Sequence, residues 1–394
     1  MNYDFDTVLS RTGTGCVKWD KPFACSSDQK VLPLWVADMD FPCAQPIQQA
    51  LHKRVDEQIY GYSCGFDEDY KSSVTGWFRR RFQWEIDTAT IFYAGGVVPA
   101  IAYLLEILSE EGDGIVIQPP VYYPFRNKIE ATKRCVVENP LINTNGTYTI
   151  DFEDLQHKLS DTRVKGMILC SPHNPVGRVW TKEELKRVAE LAHRYGKWII
   201  SDEIHCDLVR TGIQHTPLHT LVPEYRDEII VCTAPSKSFN LAGLQNSNII
   251  LTNPKYQKRW RDFVINRLSL STCNSFAITA TKAAYNESED WMDQVNAYID
   301  GNICYASEFL KKELPKAVVS PCEGTYLLWV DVRTYCSDAQ LLEQRMLKQS
   351  LILDEGYVFG AEGKGFERIN MAAPRSLIKQ CMQRFVKAVL DTSV

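Results

Sequence analysis

No stretch of this 394-residue sequence approaches the roughly 18 consecutive apolar residues of a membrane-spanning helix, so no span is expected. The opening residues, MNYDFDTVLSRTG, lack a basic segment followed by an apolar one, so no secretory signal is expected there. There is no Cys-x-x-Cys pair and no Cys/His cluster at zinc spacing, which argues against a structural metal. The 13 cysteines are scattered and odd in number, which does not suit a closed disulfide framework. A reduced cytoplasmic protein with mostly buried thiols is the expectation. Basic runs are short. The longest, Arg79-Arg80-Arg81, sits beside Phe78 and Phe82 and reads as the solvated end of an amphipathic helix. With 44 Lys plus Arg against 49 Asp plus Glu, a net charge of -5, nucleic acid is not an expected partner. GxGxxG and P-loop motifs, internal repeats and low-complexity segments are all missing.

What remains is an ordinary globular composition, 45% apolar and 24% charged, long enough for two or three domains with a large core. Residues 1–45 read as an extended arm, because Gly13, Gly15, Pro22, Pro33 and Pro42 interrupt any helix. From Pro46, Ile47, Leu51, Val55 and Ile59 recur four apart, which predicts one face of a helix. A second helix is predicted over 67–82. Strands at 89–93, 114–117, 164–170, 198–201, 229–232 and 247–251 then alternate with helical segments. Thr181 and Glu184 form a capping box that opens one of those helices. This alternation predicts an α/β fold with a mostly parallel central sheet flanked by helices. After about residue 285, helices over 291–312 and 337–348 and strands at 326–330 and 366–370 predict a smaller α+β domain. The expected division is an arm over 1–45, a large domain over 46–288 and a small domain over 289–394. The arm is expected to pack on the small domain, which both chain ends would then form.

Functional residues are expected at the strands' carboxyl ends. Lys237, in Ala-Pro-Ser-Lys-Ser-Phe-Asn from Ala234, follows one such strand. Burial would lower its pKa and suit it to Schiff-base chemistry, with Ser236 available to a phosphate oxygen. Taken alone it reads as a surface-loop lysine. Asp202 ends another apolar strand and needs a partner if buried; a pyridinium nitrogen would be one. A metal on Asp202 and His205 lacks a third ligand at any recognisable spacing, and His205 alone reads as an ordinary loop histidine. Asn174, boxed by Pro172 and Pro175, suits a ligand oxygen or simply a rigid turn. Gly95-Gly96 precedes a helix whose first amides can cradle a phosphate, although many strand-to-helix turns use glycine.

Together these segments resemble the fold type I pyridoxal-phosphate (PLP) enzymes of the aminotransferase class I/II superfamily. The resemblance is closer still to the cystathionine β-lyase/cysteine desulfhydrase subfamily typified by MalY, PatB and cystalysin. It runs nearly end to end, through Lys18-Trp19-Asp20, VADMDF from Val36, Tyr60-Gly61-Tyr62, Gly95 to Pro99, Val121-Tyr122-Tyr123-Pro124, SPHNPVGRVW from Ser171, SDEIH from Ser201, SKSFNLAG from Ser236, EGTY from Glu323 and FERIN from Phe366.

The resemblance implies that Lys237 carries PLP covalently and that Asp202 partners the pyridine nitrogen. Asn174 and His205 would lie near the phenolic oxygen, and Tyr122 would stack on the ring. Gly96, Val97 and Ser236 would form the phosphate cup. Tyr62 would reach the neighbouring active site of a homodimer. Arg368, with Val36 and Ala37, would hold the substrate carboxylate. His205 and Gln245 replace a tyrosine and a phosphate-binding arginine usual in aminotransferases, which points towards a lyase. The implied reaction is β-elimination from L-cystathionine, L-cysteine and related amino acids, giving thiol, pyruvate and ammonia. Lys237 would act as base, and Tyr123 or Tyr122 would protonate the departing sulfur. The alternatives are an aminotransferase, or a lyase that also binds a transcriptional regulator.

Overall fold

The computed structural model describes residues 2–21 and 30–391; Pro22, read above as a helix breaker, lies outside them. The main sheet has seven strands, in the order Ile91–Ala94, Ser247–Leu251, Ile229–Thr233, Trp198–Asp202, Val164–Cys170, Gly114–Ile117 and Cys135–Glu138. Ser247–Leu251 is antiparallel to both neighbours. The other four pairings are parallel. Parallel strands are covered on both faces, which is why they read as apolar runs rather than alternations. Met167 and Leu169 enter one core cluster, while Ile168 and Cys170 between and beyond them enter the other. Gly166 pairs with Trp198, and a Cβ there would lie 2.2 Å from the Trp198 ring. Only glycine admits the indole at that point of the sheet.

Helix ends follow their local signals. Asp67 accepts a hydrogen bond from Tyr70 N at 2.8 Å and starts the helix Glu68–Phe82. Thr181 Oγ1 accepts from Glu184 N at 3.1 Å, and Glu184 Oε2 accepts from Thr181 N at 2.9 Å, closing the capping box of Lys182–Arg194. The triple arginine is not merely solvated: Arg79 pairs with Glu85, Arg80 with Glu289 and Arg81 with Asp293. The first predicted stripe also departs from expectation. Helix Gln45–Asp56 buries Ile47, but Val55 is exposed and Ile59 lies beyond the helix, also exposed.

A second sheet is antiparallel, in the order Val318–Val319, Leu327–Asp331, Phe366–Asn370, Asp354–Glu355. Leu32–Pro33 pairs in parallel with Leu351–Ile352. The chain from Trp35 to Phe41 then crosses back towards the main sheet. Asn370 Nδ2 donates to Val36 O and Asp38 O, both at 2.7 Å, and Asn240 Nδ2 donates to Met39 O at 3.0 Å. Among the described residues no helix is long and apolar enough to cross a membrane.

Candidate active site

Three adjacent strands deliver the central side chains. Val164–Cys170 leads into the turn bearing Asn174, Trp198–Asp202 ends on Asp202, and Ile229–Thr233 leads into the helical turn Pro235–Ser238 bearing Lys237. Because the three strands are parallel neighbours, their carboxyl ends open on one cavity, of about 170 Å³. Lys237, Asp202, Asn174, His205, Tyr122, Gly96, Val97, Ser236 and Ala37 all line it, as does Gln245.

Lys237 Nζ donates to Ala37 O at 2.6 Å, and that carbonyl also accepts from Tyr326 OH at 2.9 Å. Burial, against the attraction of Asp38 and with repulsion from Arg368, lowers the Lys237 pKa to about 8. A sizeable neutral fraction therefore exists near neutral pH. Asp202 is buried, and among the described residues its side chain accepts one hydrogen bond, from Ile204 N at 3.1 Å. Burial pushes its pKa up to about 7. Burial likewise holds His205 well below its usual range, so the imidazole is neutral. Its Nδ1 is buried without a hydrogen-bond partner among the described residues. Burial pushes the Tyr122 phenol up.

At the opposite end, Gly96 precedes helix Val97–Leu108 with φ 135°, a backbone region that favours glycine. Gly96, Val97 and Val98, at the start of that helix, line the cavity together with Ser236. Among the described residues, Lys237 is the only lysine or arginine lining the cavity.

Arg368 lies just outside the cavity lining and is buried. Its Nη1 donates to Asn174 Oδ1 at 3.0 Å, and its Nη2 donates to Trp35 O at 2.8 Å and to the Asp354 carboxylate. Tyr123 is half-buried beside Tyr122, with ring centroids 5.6 Å apart, and does not line the cavity. Val36 turns its carbonyl to Asn370. Tyr62 lies at the surface, fully exposed.

Sequence reasoning missed Tyr326 as a partner of Ala37, Asn370 and Asn240 as clamps on residues 36–41, and Asp354 as the partner of Arg368. Asn370 carried a signal, being a polar residue at the end of the apolar strand Phe366–Asn370. Asp354 carried none, because its pairing depends on the register Asp354↔Arg368 across two strands.

The family model "Aminotransferase class I and II" matches residues 30–385. The chain is 42% identical to cystathionine beta-lyase PatB of Bacillus subtilis, over 98% of this chain and 100% of that protein. It is 32% identical to protein MalY of Escherichia coli, over 98% and 99%. Cystalysin of Treponema denticola, solved with pyridoxal 5'-phosphate, superposes with a TM-score of 0.95 at 38% identity, over 98% of this chain and 99% of that one. The architecture is thus fold type I of the PLP-dependent enzymes. The chain belongs to the aminotransferase class I and II family.

Proposed function

We propose that the protein is a PLP-dependent carbon–sulfur β-lyase that converts L-cystathionine, L-cysteine and related S-substituted cysteines to a thiol, pyruvate and ammonia. The observation that carries this reading over transamination is that His205 and Gln245, not a tyrosine and an arginine, face the cavity. The names borne by relatives matched over their full length, PatB among them, support it.

The donor set fits PLP. Among the described residues no cation hydrogen-bonds to the buried acid Asp202, which suits it to a ring N–H. The amides of Gly96 and Val97 and the Ser236 hydroxyl suit a phosphate. Lys237 would hold the cofactor covalently, Tyr122 would cover the ring, and Asn174 and His205 would face its phenolic oxygen. Tyr62 of the partner subunit would complete the phosphate site in a homodimer; its exposure on the isolated chain agrees with that role. When bound, PLP supplies an electron sink for negative charge at the substrate Cα.

The chain's own residues then divide the proton and binding work. Arg368, with the backbone of Val36 and Ala37, orients the substrate carboxylate. The Lys237 amine, depressed by burial, accepts the Cα proton. Tyr123 donates a proton to the departing sulfur. Burial first and Asp354 second raise its pKa, so the phenol still carries that proton when the C–S bond begins to break. The released enamine hydrolyses to pyruvate and ammonia.

The test is an assay of purified protein with L-cystathionine, L-cysteine and L-alanine plus 2-oxoglutarate, following thiol, pyruvate and glutamate. Thiol and pyruvate in equal amounts are expected from L-cystathionine and L-cysteine; glutamate formation with no thiol released from either sulfur substrate would end the lyase reading. Lys237→Ala should lose borohydride-trappable cofactor, and label retained on another lysine would show the wrong residue was assigned.

A further inference from the structure

Arg368 has a resident carboxylate. A guanidinium offers two two-pronged edges, Nη1 with Nη2 and Nε with Nη2, and Nη2 belongs to both. Here both Nη2 protons are engaged, one by Trp35 O and one by Asp354. Among the described residues, Nη1 has a single partner, Asn174, and Nε is buried with none. A two-pronged grip on a substrate carboxylate therefore needs Nη2 to release an acceptor. Trp35 O is main chain in a segment whose next residues are clamped by Asn370. Asp354 is a side chain on the outer strand of the four-stranded sheet, directly across from Arg368, and it can turn away about its own side-chain bonds.

We propose that the substrate α-carboxylate binds Arg368 in competition with Asp354, which serves as the internal counter-ion of the empty site and so sets the affinity for amino-acid substrates. This rests on the assignment of Arg368 to the substrate carboxylate. Asp354 is a positioning residue: it acts on substrate through Arg368. The arrangement avoids leaving a buried guanidinium unpaired between turnovers, at the expense of tight substrate binding.

The test uses the holoenzyme, with propionate as a non-reacting carboxylate and L-alaninamide as a ligand that lacks one. Asp354→Asn should lower the KM for L-cystathionine and the inhibition constant of propionate by roughly tenfold or more, the size of one charge-assisted hydrogen bond. L-Alaninamide affinity should not gain. Weaker or unchanged propionate binding in Asp354→Asn would overturn the proposal, as would an equal gain for L-alaninamide. If Asp354→Asn fails to fold, Asp354→Ser carries the same expectations. Arg368→Ala separates the two layers. If it binds propionate as well as the wild type, the carboxylate assignment itself fails. If it loses propionate while Asp354→Asn gains nothing, only the competition fails.

Discussion

Lys237 and Asp202 share a cavity but are tuned in opposite directions by the same cause. Burial lowers the lysine to about 8 and raises the aspartate to about 7. For Asp202 the folded-state pKa lies above the ordinary 3.8. Between about pH 4 and pH 7 the cofactor-free folded protein keeps a proton that the unfolded chain has lost. The contribution of Asp202 to stability is therefore fully present below about pH 4 and is lost as pH rises to about 7. Urea unfolding of cofactor-free Asp202→Asn should lose about 1–4 kcal/mol less than wild type over that window. Parallel pH profiles would show that the carboxyl is already charged in the fold. Tyr123→Phe should slow cystathionine cleavage by about 10²–10⁴-fold and leave β-chloroalanine elimination, whose chloride needs no proton, much less affected. Equal losses on both substrates would remove the general-acid role. At this scale the sequence disclosed residue types at strand ends. It could not disclose Asp354, whose meaning comes from lying across a sheet from Arg368.

Elements were legible where local chemistry alone decides them. The capping box at Thr181 and Glu184 forms as the spacing requires, and Thr181→Ala should cost about 1 kcal/mol in thermal or urea unfolding. The buried strands were equally plain, because both faces are covered. Strand direction was not. Ser247–Leu251 reads like its neighbours yet runs against both, since direction follows from connections rather than from composition. The stripe from Ile47 to Ile59 misled for a related reason. Periodicity reports which residues want burial, and Val55 and Ile59 find no cover among the described residues of their own chain.

That uncovered surface matters for the whole molecule. Val55, Ile59, Tyr60 and Tyr62 are all exposed along residues 55–62, an arrangement a second copy of the chain would cover. Sedimentation should give a dimer, and Tyr62→Phe should weaken PLP retention on dialysis while leaving the dimer intact. A monomer that retains PLP fully would refute the shared site.

The clamp of Asn370 on Val36 and Asp38 spans 334 and 332 residues of sequence. Loop closure over such a distance comes late in folding. On the ribosome, residues 36–38 must wait beside an unfinished pocket until almost the entire chain has emerged. The amine of Lys237 meets its Ala37 acceptor in its final setting only then.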